Sequence, residues 1–283
     1  MIHDTRPCEL GEGAFWHPVR EQLFWFDILN RTLHSLTKGE PLTWSFPEMV
    51  SAAGWSGENT LVLASESGLS GLDLATGKRS PLCDAGGPET RSNDGRADRQ
   101  GGFWFGTMGK KAERGIGAIW RWYRGELRRL FPALTIPNAI CFAPDGRSAH
   151  FTDTQTGRIM KVALDAAGWP AGQPQLWLDL SPEGLNPDGA VIDAEGRFWN
   201  AQWGAGRVAC YAPDGSFLTA IETPGAPHAS CPAFGGPDMK TLFVTTALEH
   251  LDAEARAANP ASGQVFAFPG VATGLPEPQV ILP

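Results

Sequence analysis

The sequence predicts an all-β fold, a six-bladed β-propeller of four-stranded antiparallel blades, on three observations. A β-rich, often aromatic segment recurs at intervals of about 40 to 50 residues, the size of one propeller blade. Turn-forming residues are spread along the whole chain, with 34 Gly and 23 Pro among 283 residues, while only 19% are charged. No hydrophobic pattern of helical period competes with the strand pattern. Propellers of this length form one unit, so residues 1–283 are expected to be a single domain.

The recurring segments are Leu23–Leu29, Thr60–Glu66, Gly102–Met108, Ala149–Thr154, Arg197–Trp203 and Thr241–Ala247. Six occurrences imply six blades. Blade one opens at Glu12 and reads as strand GAFWH, turn PVREQ, strand LFWFDI and, after NR, strand TLHSLT. Blades two and three open near Ser51 and at Asn93, each ahead of its recurring strand. Blade four opens at Asn138 with AICFA, PDGR, SAHFTDT and GRIMKVAL. Blade five opens at Asp188 and parses completely: GAVID, AEG, RFWNAQW, GAG, RVACYA, PDG and SFLTAIE, with Gly and Asp where hairpin turns need them. Blade six opens near Ser230. The one helix-like stretch, Leu248–Pro260, is expected within a loop of that last blade.

The formal net charge of -8 is distributed without a basic cluster. Nothing would neutralise a phosphate backbone, so nucleic acid and anionic membranes are excluded as partners. The first ten residues carry Asp4, Arg6 and Glu9 and lack the apolar core of a signal peptide, and no later apolar run is long enough to span a bilayer. The expected location is cytoplasmic. Five cysteines, far apart and without a C-x-x-C pair, read as buried free thiols rather than disulfides or a zinc site. Oligomeric state is not legible.

Equivalent positions of a repeat converge in space. Counting back about twelve residues from each recurring strand reaches the start of the innermost strand of its blade, at one mouth of the central channel. These ring positions are Glu12, the neighbourhood of Ser51, Asn93, Asn138, Asp188 and the neighbourhood of Ser230. Four of the six carry carboxylate or amide oxygens, the ligand type of a hard divalent cation. Two carboxylates facing one another across a narrow channel repel unless a cation neutralises them.

Taken singly, Ser92–Gly95 and Asn186–Gly189 read as turn tetrads, and Glu12 between two glycines as a solvated loop residue. The shared phase is what assigns them to a site. Asp145, Asp193 and Asp214 stay turn residues, His17, His34, His150 and His228 structural, and the eleven tryptophans blade packing. No G-x-S-x-G elbow, H-E-x-x-H helix, EF-hand loop or phosphate-binding glycine loop occurs.

The segments LGEGAFW (10–16), RSNDGRAD (91–98), GFWFGTM (102–108), PDGAVIDAEG (187–196) and SCPAFGG (230–236) resemble, in order, those of the SMP-30/gluconolactonase family. That family includes regucalcin and bacterial sugar lactonases, and this chain is most similar to its bacterial aldonolactonases. The resemblance implies metal ligands at Glu12, Asn138 and Asp188, and substrate contacts at Arg91, Asn93 and Glu113. Where the family usually places Gly after the ligating Asn, this chain has Ala139.

The expected function is hydrolysis of a sugar-acid lactone, such as a xylono-, arabinono-, galactono- or gluconolactone, with one divalent metal ion as cofactor. Ca²⁺, Mg²⁺, Mn²⁺, Fe²⁺ and Zn²⁺ all tolerate this ligand set. The cation would polarise the carbonyl and acidify water, and Asp188 is the candidate catalytic base, with the cation alone as the other source of hydroxide. Two other functions stay open at this point: a non-enzymatic propeller that binds metal or ligand, and a metal-dependent hydrolase of another ester.

Overall fold

The computed structural model describes residues 1–283 and contains six four-stranded antiparallel sheets. Their innermost strands are Gly11–His17, Val50–Gly57, Thr90–Ala97, Pro137–Phe142, Asn186–Ile192 and Ala229–Gly235. Each packs beside the innermost strand of the next blade, and the last returns to the first, so the ring closes. The recurring segments of the sequence are the second strands, for example Gln22–Asp27 and Phe103–Gly109.

Burial explains why those second strands are apolar on both faces. A blade is sandwiched between two others, so its inner strands have no solvent side. Every residue of Gln22–Asp27 is buried, whereas the outermost strand of that blade, Glu40–Ser45, alternates between exposed and half-buried positions. Trp25, Trp104, Trp122 and Trp199 fill the space between blades. Each contributes about 2 to 3 kcal/mol or more on burial.

Blade six is completed by the N-terminus: Ile2–Asp4 pairs with Val265–Pro269, which pairs with Thr241–Thr246. This clasp joins the two ends of the chain. The helix, Ala253–Ala258, lies in the connection before Val265 as expected, and the Asp252 side chain caps it by accepting from the Ala255 amide.

Every innermost strand slips register close to the mouth, at Glu12/Phe15, Val50/Ala52, Ser92/Gly95, Asn138/Cys141, Pro187/Ala190 and Ala229/Pro232. Ser92–Gly95 and Asn186–Gly189 are therefore β-bulges inside strands and not turns. The residues that favour turns also favour the extra, locally unpaired residue of a bulge, which bends the strand and re-aims its side chains. Blade five's first strand accordingly begins at Asn186, ahead of the expected GAVID.

Asp98 and Asp193 perform the same task in two blades. Each accepts from backbone amides of its own turn and from the indole nitrogen of the tryptophan six residues later, at 3.1 and 2.9 Å. Asp98 also holds Arg121 in a fully buried ion pair at 2.6 Å. Four cysteines are buried, while Cys83 is only half-buried because it sits in an outermost strand.

The far end of the channel is covered by the C-terminal segment. The Ala194 amide donates to Thr273 O at 2.9 Å, Trp55 Nε1 donates to Glu277 O at 2.8 Å, and the Ile281 amide donates to Gly101 O at 2.9 Å. Glu277 forms a buried ion pair with Arg96, and Val280 packs into the core between blades two and three. These partners follow the innermost strands, opposite the ring positions, so the segment floors the channel. No helix is long and apolar enough to cross a membrane.

Candidate metal and substrate site

The bulges bring Glu12, Asn93, Asn138 and Asp188 from four blades to the wall of one cavity of 500 Å³, shared with Arg91. All five are buried, at 3% to 7% exposure, so their charges and amides face one another rather than bulk water. The other two ring positions tie blades together: Ser51 Oγ donates to Ser92 Oγ at 2.7 Å, and Ser230 Oγ donates to Gly11 O.

The Asn138 amide is held from both ends. Its Nδ2 donates to Thr154 Oγ1 at 3.0 Å, and that hydroxyl donates to Pro187 O at 2.7 Å. The oxygen is thereby turned inward, where Asn93 Nδ2 donates to it at 3.0 Å. Asn93 also donates to Pro137 O at 3.1 Å and accepts from Arg91 Nη1 at 2.8 Å. Asp94 points away from the cavity and accepts from the Ile140 amide at 2.7 Å, fastening the strand that carries Asn138.

Two positions in this wall need left-handed backbone. Gly13 and Ala139, each directly after a candidate ligand, have φ of 58° and 56°. A side chain at Gly13 would collide with Ser51 O and the Phe26 ring, so only glycine fits. At Ala139 the same left-handed conformation is adopted by a residue whose methyl group is fully buried.

Electrostatics single out the carboxyl pair. Burial, and then the nearby Asp94, push the Glu12 carboxyl up to about 8. Burial, and then Glu12 itself, raise Asp188 well above the usual carboxylate range. Such a pair shares a proton unless a cation takes its place. Two carboxylates, an inward amide oxygen and room for further oxygens fit a hard divalent ion. No group of three or more His, Cys, Asp or Glu side chains is placed to hold an ion; beside the two carboxyls, Asn138 offers a neutral amide oxygen.

Glu113 does not join the others. It lies in the loop after Phe103–Gly109, outside the cavity wall, and its carboxylate accepts from the Lys111 amide at 3.0 Å. That loop contributes Lys110, Lys111 and Ala112 to the wall instead. The sequence reading also passed over Thr154, Gln155, Trp203, Glu249 and His250. Their signal was available: Lys110, Thr154 and Trp203 end or follow the second strands of their blades, which point back at the same mouth.

Residues 10–248 match the model of the SMP-30/gluconolactonase/LRE-like region. The chain is 35% identical to a 6-deoxy-6-sulfogluconolactonase of Pseudomonas putida, over 96% of this chain and 95% of that protein. It is 34% identical to an L-arabinolactonase of Azospirillum brasilense, over 94% and 90%. The crystal structure of regucalcin, a calcium-binding protein from Agrobacterium tumefaciens, is similar at 40% identity and a TM-score of 0.96, covering 99% of this chain and 96% of that one. Family model, sequence relatives and fold agree over nearly the whole length, and the chain belongs to the SMP-30/gluconolactonase/LRE-like family.

Proposed function

We propose that this chain hydrolyses the lactone of a sugar acid to the aldonic acid, in the cytoplasm, with a divalent cation held by Glu12, Asn138 and Asp188. The observation that supports this most is the pair of buried carboxyls, Glu12 and Asp188, in the wall of a cavity that also carries the Asn93 and Asn138 amides and the Arg91 guanidinium. Two of the relatives are named for sugar lactones, a 6-deoxy-6-sulfogluconolactonase and an L-arabinolactonase, which supports the same substrate class here.

A bound cation would polarise the lactone carbonyl and lower the pKa of water beside it. Asp188 removes a proton from the attacking water and returns it to the ring oxygen as the acyl C–O bond breaks. Arg91 is buried, and its contacts within the protein are to Ser92 O at 2.9 Å and Asn93 Oδ1. Its remaining donors serve the carbonyl and hydroxyl oxygens of the substrate. Asn93 has both amide hydrogens engaged, so it orients Asn138 and Arg91, and it meets substrate only by accepting a hydroxyl at Oδ1. Glu113 lies outside the cavity wall, so it would meet a substrate hydroxyl only at the rim, with the carboxylate oxygen that the Lys111 amide leaves unused.

The test is pH-stat titration of acid release from a panel of aldonolactones, using metal-stripped protein and single metal additions. Acid release that vanishes on chelation and returns with one or more divalent ions is expected. Equal rates with and without chelator would overturn the metal dependence. Tight metal binding without acid release from any lactone would identify a binding protein instead.

A further inference from the structure

Of the residues around the cavity, Trp203 is the only Trp, Tyr or Phe. It ends the second strand of blade five, Phe198–Trp203, and is half-buried, unlike Trp25 or Trp104 in the blade interiors. One indole face lies on the His228 ring, with centroids 4.2 Å apart and planes 11° from parallel. His228 is itself half-buried, and the indole also packs against the apolar cluster that includes Leu10 and Ala247. The indole is thus fixed before any ligand arrives, in the wall that also carries Glu12, Asn138 and Asp188.

Deepening the function proposed above, and resting on it, we infer that Trp203 is a substrate-binding platform that selects lactones presenting a broad CH face. A sugar lactone is amphipathic: its hydroxyls lie around the ring, while its axial C–H bonds make an apolar face. The wall of this cavity meets both needs, with Arg91, Asn93, Lys110 and Lys111 for oxygens and the indole for carbon. Stacking on a pre-fixed aromatic ring costs little side-chain entropy, because the ring is already immobilised by His228. The contact exists equally in the bound substrate and the transition state, so its removal raises KM and leaves kcat nearly unchanged.

The experiment compares wild type with Trp203→Phe, Trp203→Leu and Trp203→Ala on D-glucono-1,5-lactone and on γ-butyrolactone, which offers little face. For the sugar lactone, KM is expected to rise about tenfold in the Leu and Ala variants, with a smaller rise for Phe. γ-Butyrolactone should show little change in any of them. If Trp203→Ala fails to fold, the Phe and Leu pair decides, since both keep bulk and only one keeps an aromatic face. An unchanged KM, or equal losses with Phe and Leu, would overturn the platform. If the wild type does not turn over D-glucono-1,5-lactone, the comparison uses the aldonolactone that it does hydrolyse, and a wild-type protein that releases acid from no aldonolactone of the panel would instead refute the lactonase reading itself.

Discussion

Histidine 150 should make this propeller acid-labile by a calculable amount. It lies buried in the second strand of blade four, with neither ring nitrogen hydrogen-bonded. Its ring stands edge-on to Trp177 at 4.8 Å and is tilted against Phe198 at 5.6 Å. Burial, and then Lys161 on the adjoining strand, push its pKa from 6.5 down to about 3. Because the folded pKa is depressed, the unfolded chain binds a proton below pH 6.5 that the native protein refuses. The neutral ring's contribution to stability is therefore complete above pH 6.5 and is lost as the pH falls toward 3. The slope is about 1.4 kcal/mol per pH unit once well below 6.5. At pH 4.5 the loss is about 3 kcal/mol, a large share of the stability of a typical domain. His150→Phe keeps an aromatic ring between Trp177 and Phe198 and removes the titration, at an overpacking cost of about 1 kcal/mol at neutral pH. Urea unfolding of both proteins between pH 7.5 and 4.5, followed by tryptophan fluorescence, measures the difference. The variant should be slightly less stable at pH 7.5 and more stable by 4.5. A wild-type minus variant difference that stays flat with pH would refute the reasoning.

Three further outcomes follow from the site and its supports. Asp188→Asn should abolish acid release while raising the melting temperature of the metal-stripped protein, because it removes one of two buried carboxyls; a lowered melting temperature with activity retained would contradict the pairing. Gly13→Ala should destabilise the fold by about 2 kcal/mol or more, through the collision with Ser51 and Phe26 and the left-handed backbone, whereas Ala139→Gly should be tolerated; chemical denaturation compares them. Glu277→Gln leaves the Arg96 guanidinium buried without its carboxylate, and a loss of about 3 kcal/mol is expected; a loss under about 1 kcal/mol would show that the floor of the channel is not held by this pair.

What the residues determined by themselves was periodic. Turn residues and apolar runs at blade spacing located all six second strands to within a residue or two, since a strand buried on both faces must be apolar throughout. The phase of that repeat also picked out Glu12, Asn93, Asn138 and Asp188, which the structure does bring to one wall. Tertiary structure decided everything that depends on contact between blades. Ser92–Gly95 and Asn186–Gly189 carry turn-forming residues, and only pairing with a neighbouring strand shows them to be bulges. The N-terminal strand and the C-terminal floor have no repeat to reveal them; most of their partners lie in distant blades, as with Ile2 and Phe266 or Trp55 and Glu277. Glu113 shows the same limit in reverse. Its position along the loop was legible, but its orientation follows from the nearest free donor, the Lys111 amide, and a one-dimensional pattern does not encode which donor a flexible carboxylate will meet.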